Sequence, residues 1–416
     1  MRVLERSGII GTSRRDLGRK KPGKFVFICT ILFSVLVLHS FLAYFKLIPT
    51  AEITYEKPDN QDSISVNIAW PKDGQAAIGD DVSGLLGSSD NQKPMPTASV
   101  IKVLTALMIL KKYPLAINQQ GSTITINQQD VDSYNYYLLH DGSNTAVQLG
   151  EQITEYQALQ ALILPSSNNM AETLVRWAYG SKENYLIEAN KYAQILGMKN
   201  TVIADGSGFD PKTVSTAHDL LLLGIEVMKN PVMAEIVSQK TAKIPVANNI
   251  SSTNFLLGQN EYVGIKTGHT DEAGGCYLFS TKHKFADGHE VVVIGAIMGS
   301  KTIKSAMEDS LPLLQNVYTN YADKNIVKKD QKVAKYKTAW GENVDAVASK
   351  DQTIFGWNAL NPKPVYKINA IKSGKVGDAV GDLLIDSGYE KKTINIKLKN
   401  DINSPSFWWR INRWAF

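Results

Sequence analysis

The sequence predicts an α+β fold: an antiparallel sheet with helices on its faces, followed by a small all-β domain. Two observations carry this. Strand-like segments come first, a mainly helical stretch follows at residues 145–228, and strand-like segments return at 262–267, 276–281 and 291–298. That grouping suits one antiparallel sheet with helices packed on it. After Lys324 the texture then changes to Lys/Thr/Val alternation, broken by turn signals at Gly341, Gly356, Pro362-Lys363-Pro364 and Gly374.

The chain of 416 residues is long enough for a sizeable core and more than one domain. Its net charge of +5 is concentrated in one tail. Residues 1–24 hold eight Lys/Arg against Glu5 and Asp16, a balance of +6, which leaves −1 for the rest. The basic charge therefore belongs to a tail and not to a nucleic-acid-binding face, and no nucleic-acid partner is expected.

Residues 25–45 follow without a formal charge, long enough to cross a bilayer. Lys/Arg ahead of the run place residues 1–24 in the cytoplasm and the bulk of the chain outside, as a single-pass protein of the cell membrane. The competing reading is a cleaved signal peptide. The run is too long for a typical signal h-region, and no A-x-A-like site follows it. A signal-anchor is the reading taken.

Residues 46–62 are polar, with Pro49 and Pro58, and read as a linker. At 63–70, Ile64, Val66, Ile68 and Trp70 alternate with polar residues as in a half-buried strand, with 74–79 as its hairpin partner. Residues 98–112 are apolar on nearly every side, which marks a buried helix, bounded by Pro96 and Pro114. Domain bounds of 63–324 and 325–404 follow. The tail 405–416 mixes Phe407, Trp408, Trp409, Trp414 and Phe416 with Arg410 and Arg413. Such a tail suits a bilayer interface, or it packs its tryptophans on the β domain.

Cys29 and Cys276 are the two cysteines, one in the apolar run and one in the body, so no disulfide between them is expected. The six histidines show no His-x-x-x-His or Cys-x-x-Cys pairing, and neither a metal site nor a cofactor is expected. His283 and His289 flank a turn at Ala286-Asp287-Gly288 and read as solvated.

The chemistry lies in three short motifs in order: Ser99-Val100-Ile101-Lys102, Ser166-Ser167-Asn168 and Lys266-Thr267-Gly268. An S-x-x-K or an S-x-N arises by accident about once or twice in a chain of this length, a K-T-G in about one such chain in ten. On a helix, Ser99 and Lys102 share a face one turn apart. A lysine in a buried helix loses its proton more readily, and a neutral amine beside a hydroxyl is the base a serine nucleophile needs. Free N–H groups of the first turn favour negative charge developing at Ser99.

Ser166-Ser167-Asn168 reads first as a helix N-cap. It also offers a hydroxyl to carry a proton and an amide to grip a substrate amide. Lys266 and Thr267 form a cation and hydroxyl pair suited to a carboxylate, and Gly268 leaves room for a substrate backbone beside the strand. Strict alternation points Lys266 and Thr267 to opposite faces, and a plain edge strand protected by lysine is the other reading.

This motif set resembles that of the serine penicillin-binding proteins. The chain is similar to the D-alanyl-D-alanine carboxypeptidases of low molecular mass. Pro96-Thr97-Ala98-Ser99, Asp205-Gly206-Ser207-Gly208-Phe209-Asp210, Ser215-Thr216-Ala217-His218-Asp219, Thr253-Asn254 and Gly264-Ile265-Lys266-Thr267-Gly268-His269-Thr270 extend the likeness over about 63–320. The resemblance implies a β-lactamase/transpeptidase-like catalytic domain and removal of the terminal D-Ala from peptidoglycan stem peptides. It implies β-lactam antibiotics as covalent inhibitors.

By the same resemblance, Ser99 is the nucleophile, Lys102 its base and Ser166 the proton relay. Asn168 is a substrate-binding residue, Lys266 and Thr267 hold the terminal carboxylate, and Gly268 completes the motif. The N–H groups of Ser99 and His269 form the oxyanion hole. Ser167 and Asn169 stand where the family has Gly and Asp. The alternatives are a D,D-endopeptidase on crosslinks, a serine β-lactamase, for which no Glu-x-x-Leu-Asn segment is found, and a non-catalytic cell-wall-binding relative.

Overall fold

The computed structural model describes residues 23–56 and 66–413. The expected cytoplasmic tail up to residue 22, the first part of the 63–70 strand and the aromatics Trp414 and Phe416 lie outside the described residues. Lys24–Phe45 is a single helix whose side chains are almost all exposed, with a mean hydropathy of 2.5 in its most apolar window. It is long and apolar enough to cross a membrane and fits a membrane anchor.

The first sheet has five antiparallel strands in the order Tyr262–Thr270, Gly274–Lys284, Glu290–Ser300, Gln75–Asp80, Gly84–Ser88. Its middle strands are covered on both faces, and the two-residue period sorts their side chains into two cores. Cys276, Leu278, Ile294, Ala296 and Met298 join the core under the helical layer that includes Lys102–Lys112, Asn168–Tyr179 and Ala217–Lys229. Tyr277, Phe279, Val291, Val293 and Ile297 join the core under the helix Ile303–Tyr318. At Gly224 a Cβ would lie 2.7 Å from Ile294 Cγ2 and 2.9 Å from Leu278 Cδ1, so bare backbone seats that helix on the sheet.

Two local expectations change here. Residues 66–70 form no strand; Ile68 and Trp70 instead cover Gly87 of the edge strand, which accounts for their apolar spacing. The hairpin partner of Gln75–Asp80 is Gly84–Ser88. His283 and His289 are also more than solvated. The first stacks on Tyr318 at 3.9 Å and bonds Glu261, and the second stacks on Phe355 at 4.1 Å.

The second sheet is all-β, in the order Glu52–Tyr55, Lys332–Lys337, Asn343–Ala348, Lys391–Leu398, Ala379–Asp386, Val365–Ile368. Its first strand comes from the stretch read as a linker. Ile53 packs against this sheet's core, and Glu52 pairs with Lys337, so the segment after the apolar helix is held at an edge. The expected boundary at 324 falls inside the strand Tyr321–Val327, which pairs with Gln352–Trp357. Tyr321, Phe355 and Trp357 belong to the core under Ile303–Tyr318.

A buried carboxylate ties the two sheets together. Asp80 accepts bonds from Tyr321 Oη at 2.5 Å, from Tyr389 Oη, and from the Val82 and Ser83 N–H groups. Removing it would strip the buried Tyr321 hydroxyl of its carboxylate acceptor, costing roughly 1–3 kcal/mol, while the Tyr389 hydroxyl keeps Ser83 Oγ at 2.6 Å. Asp80→Ala should therefore lose about 2 kcal/mol of unfolding free energy in urea, with acylation by penicillin unchanged in the folded protein. A loss below about 0.5 kcal/mol would show that the seam does not depend on this carboxylate.

Candidate active site

The buried helix expected over 98–112 consists of two pieces. Ala98–Ile101 is a single 3-10 turn bearing Ser99, and the α-helix begins at Lys102. The turn seats Ser99 half-exposed above a lysine with no solvent contact. The Lys102 amine reaches Ser99 Oγ at 2.7 Å, Asn168 Oδ1 at 2.6 Å and the Ser207 carbonyl at 2.7 Å. Burial drives the Lys102 pKa well down, the neighbouring Lys266 charge lowers it further, and Asp205 opposes them. Burial comes first because an ammonium without water is costly.

This geometry orients the amine. A neutral lysine has two N–H donors and one lone pair. Asn168 Oδ1 and the Ser207 carbonyl are oxygens that only accept, so they take the two donors. The lone pair then faces the Ser99 hydroxyl, which can donate to it. A serine O–H aimed at an unprotonated amine is the arrangement for nucleophile activation.

The second motif stands at the start of the helix Asn168–Tyr179. Ser166 has φ +66 and a buried Oγ with no hydrogen-bond partner among the described residues. Ser167 is the N-cap residue, but its side chain makes no capping bond and pairs with Thr145 Oγ1 instead. The capping reading of this motif thus fails at the side-chain level. Asn169 accepts from the Thr145 N–H and donates to the Thr145 carbonyl, both at 2.9 Å. A carboxylate in its place can only accept.

The third motif lies on Tyr262–Thr270. Lys266 is buried, donates to the Thr267 carbonyl at 3.0 Å, and has its pKa lowered by burial to about 7. Thr267 Oγ1 lies 2.7 Å from Thr253 Oγ1. At Gly268 a Cβ would come within 2.9 Å of the Ser99 backbone nitrogen, so the strand runs against the turn that carries Ser99. His269 follows, exposed at the strand's outer end. The strand therefore brings Lys266 and Gly268 to the Ser99–Lys102 pair, while Thr267 meets Thr253.

Ser207, whose carbonyl serves Lys102, carries no side-chain signal for that role. The loop is built by Asp205, which accepts from Ser207 N and Oγ, Phe209 N and Thr213 Oγ1. Gly208 has φ +72 and would drive a Cβ to 1.9 Å from the Ala98 carbonyl, so the loop presses on the turn that carries Ser99. An Asp ahead of Gly-Ser-Gly is a turn signature, but its target lies 105 residues upstream.

Together the fold and this site define a serine-type acyl-transfer enzyme of the penicillin-binding class. Residues 73–302 match the family described as D-alanyl-D-alanine carboxypeptidase. The chain is 22% identical over 334 residues to the D-alanyl-D-alanine carboxypeptidase DacF of Bacillus subtilis, covering 78% of this chain and 81% of that protein. It is 29% identical over 217 residues to a D-alanyl-D-alanine endopeptidase of Pseudomonas aeruginosa, covering 50% and 66%. Its fold matches crystal structures of penicillin binding protein 5 from Haemophilus influenzae with a TM-score of 0.57, 21% identity, and coverage of 82% of this chain and all of that one. The chain belongs to the D-alanyl-D-alanine carboxypeptidase family. It is a serine-type D-Ala-D-Ala carboxypeptidase of the penicillin-binding class.

The Asn169 contacts predict the effect of the family's usual residue. Asn169→Asp leaves the Thr145 carbonyl unpaired at a cost of roughly 1–3 kcal/mol. A carboxylate at a helix N-terminus regains about 0.3–1 kcal/mol. A net loss of about 1 kcal/mol at neutral pH, shrinking in acid as the carboxyl regains a proton, is the result expected from urea unfolding. Equal or greater stability at pH 7 would contradict this reading.

Proposed function

We propose that Ser99 is the nucleophile of the carboxypeptidase, with Lys102 as its base. The observation that supports this most is the enclosed Lys102 amine, whose lone pair is left for the Ser99 hydroxyl by two carbonyl acceptors. In the forward step the Ser99 proton passes to Lys102 as the Oγ–carbon bond forms at the carbonyl of the penultimate D-Ala. The carbon–nitrogen bond then breaks, and Ser166 relays a proton to the leaving D-Ala. Its unpartnered hydroxyl and its place beside Asn168 support that role. Water releases the acyl group by the same route in reverse.

Asn168 grips the substrate amide with the Nδ2 group that Lys102 does not use. Lys266 and Thr267 take the terminal carboxylate, and the N–H groups of Ser99 and His269 polarise the attacked carbonyl. Gly268 lets the substrate lie close. The domains proposed are a catalytic one and a following β domain, with the boundary expected at 324 moved ahead of the strand Tyr321–Val327 and with Glu52–Tyr55 added to the β domain, joined through the seam at Asp80. Lys24–Phe45 serves as an uncleaved anchor, with the N-terminus cytoplasmic and the catalytic domain outside, where β-lactams and peptidoglycan meet it.

Fluorescent penicillin should label the protein stably and lose the label in Ser99→Ala. Lys102→Arg keeps the charge but cannot supply a neutral amine, so acylation should slow by about 10²–10⁴-fold. Labelling of Ser99→Ala, or an unchanged rate in Lys102→Arg, would refute the assignment.

The pH profile follows from the two lysines. The free enzyme is reported by kcat/KM, assayed as D-Ala released from a pentapeptide. Lys102, with its pKa below the usual lysine value, is the base and must be neutral, so acid removes activity. Lys266 must be charged to hold a carboxylate, and with a pKa of about 7 it loses that charge as pH rises. An alkaline limb beginning near pH 7 is expected for the free acid, and no such limb for the C-terminal amide. The same limb for both substrates would remove Lys266 from the carboxylate site.

A further inference from the structure

Beside Asn168 stands an aromatic pair that the three motifs do not account for. Phe209 lies two residues beyond the Ser207 carbonyl that binds Lys102, and its N–H is fixed by Asp205. Its ring meets that of Tyr137 edge to face, with centroids 5.4 Å apart. Tyr137 is buried, whereas Phe209 keeps 38% of its surface open. One exposed ring is ordinary in itself; the place of this one is not.

A Cβ at Gly142 would fall 2.8 Å from Tyr137 Cδ1 and 3.0 Å from Asn168 Nδ2, so the tyrosine ring and the amide group meet at that glycine. Gly208, just ahead of Phe209, lies against the Ala98 carbonyl in the turn that carries Ser99. The pair therefore borders the group formed by Ser99, Lys102 and Asn168. It is also held firmly. Tyr137 Oη donates to Glu172 Oε1 at 2.7 Å, and Ser133 Oγ donates to the other oxygen of that carboxylate. Glu172 follows Asn168 by one turn of the same helix. The ring is thus tied to the helix that presents the amide, and little freedom is left to lose when a ligand arrives.

We infer that Tyr137 and Phe209 form a shelf for the acyl-side group of the substrate. That group is the side chain of the residue preceding D-Ala-D-Ala, or the aromatic side chain of a penicillin. The inference rests on the reading of Ser99 as the nucleophile and Asn168 Nδ2 as the grip on the substrate amide. In a stem peptide the gripped carbonyl belongs to the preceding residue, and in benzylpenicillin to the phenylacetyl group. In both, the side group hangs from the carbon next to that carbonyl, which brings it beside the Tyr137 ring. The open face of Phe209 is then the surface a methylene chain or a second ring would cover. The two rings carry no charge, so the shelf selects for apolar length and not for an ionic group.

The test compares ligands with and without the side group. Acylation rate constants are measured for benzylpenicillin and for its acetamido analogue, which keeps the ring system and the amide but has a methyl group in place of benzyl. Release of D-Ala is measured from diacetyl-L-lysyl-D-Ala-D-Ala and from acetylglycyl-D-Ala-D-Ala. In each pair, Phe209→Ala should lower the ratio of the larger ligand's rate to the smaller one's by about fivefold, the worth of one aromatic contact. Phe209→Leu fills the loop but has no ring, and it should lower the same ratio by about twofold.

A ratio left as it is in the folded variants, with any loss shared equally by both members of a pair, would overturn the shelf. A ratio that depends on protein concentration would make the open ring a contact between copies and would also overturn it. Failure of the unmutated protein to react with either penicillin would instead overturn the reading of Ser99.

Discussion

The Lys102 amine is enclosed by protein, and its three partners come from three separate parts of the chain. Ser99 lies one turn back, Asn168 begins another helix, and the Ser207 carbonyl belongs to a loop. An ammonium so buried is costly, and a lysine that gives up its proton there is the base proposed for Ser99. Much of the surrounding structure serves to keep water out while holding those acceptors in place.

That requirement explains several features that otherwise look unrelated. The Asp205 carboxylate builds the loop that offers the Ser207 carbonyl, and Gly208 lets the loop press on the Ala98 carbonyl. Thr145 holds Ser167 and Asn169, so the loop carrying Ser166 and Asn168 keeps its shape although two positions differ from the family's usual pattern. Gly268 brings the third motif to the backbone of Ser99. A second buried lysine, Lys266, proposed as the carboxylate holder, lowers the Lys102 pKa by its charge. A charge on one buried lysine thus favours the neutral form of the other.

Much of this was legible in the residues. The α+β class followed from the grouping of strand-like and helical segments, and the three motifs stood in order with suitable neighbours. The apolar run predicted a long helix, and one is present. The errors came where a local pattern had two physical causes. Alternation at 66–70 signalled burial against Gly87 and not strand pairing. Polar composition after Lys46 hid the strand Glu52–Tyr55, because an edge strand needs only one apolar face. A Ser-Ser-Asn start resembled a side-chain cap, yet Ser167 found a better partner in Thr145.

By itself, the sequence determined which chemical groups this protein has: a serine and a lysine one turn apart, an amide, a second lysine, and an apolar helix at one end. Spacing and residue type suffice for these, because they depend on neighbours a few positions away. Only the tertiary structure decided how those groups act. The Ser207 carbonyl that orients Lys102 is a backbone atom from 105 residues downstream, and nothing in its side chain announces it. Likewise, Arg413 reaches the carbonyl of Ala43 across a separation of 370 residues. Desolvation and hydrogen-bond geometry depend on everything that packs around a group, and that is a property of the folded chain.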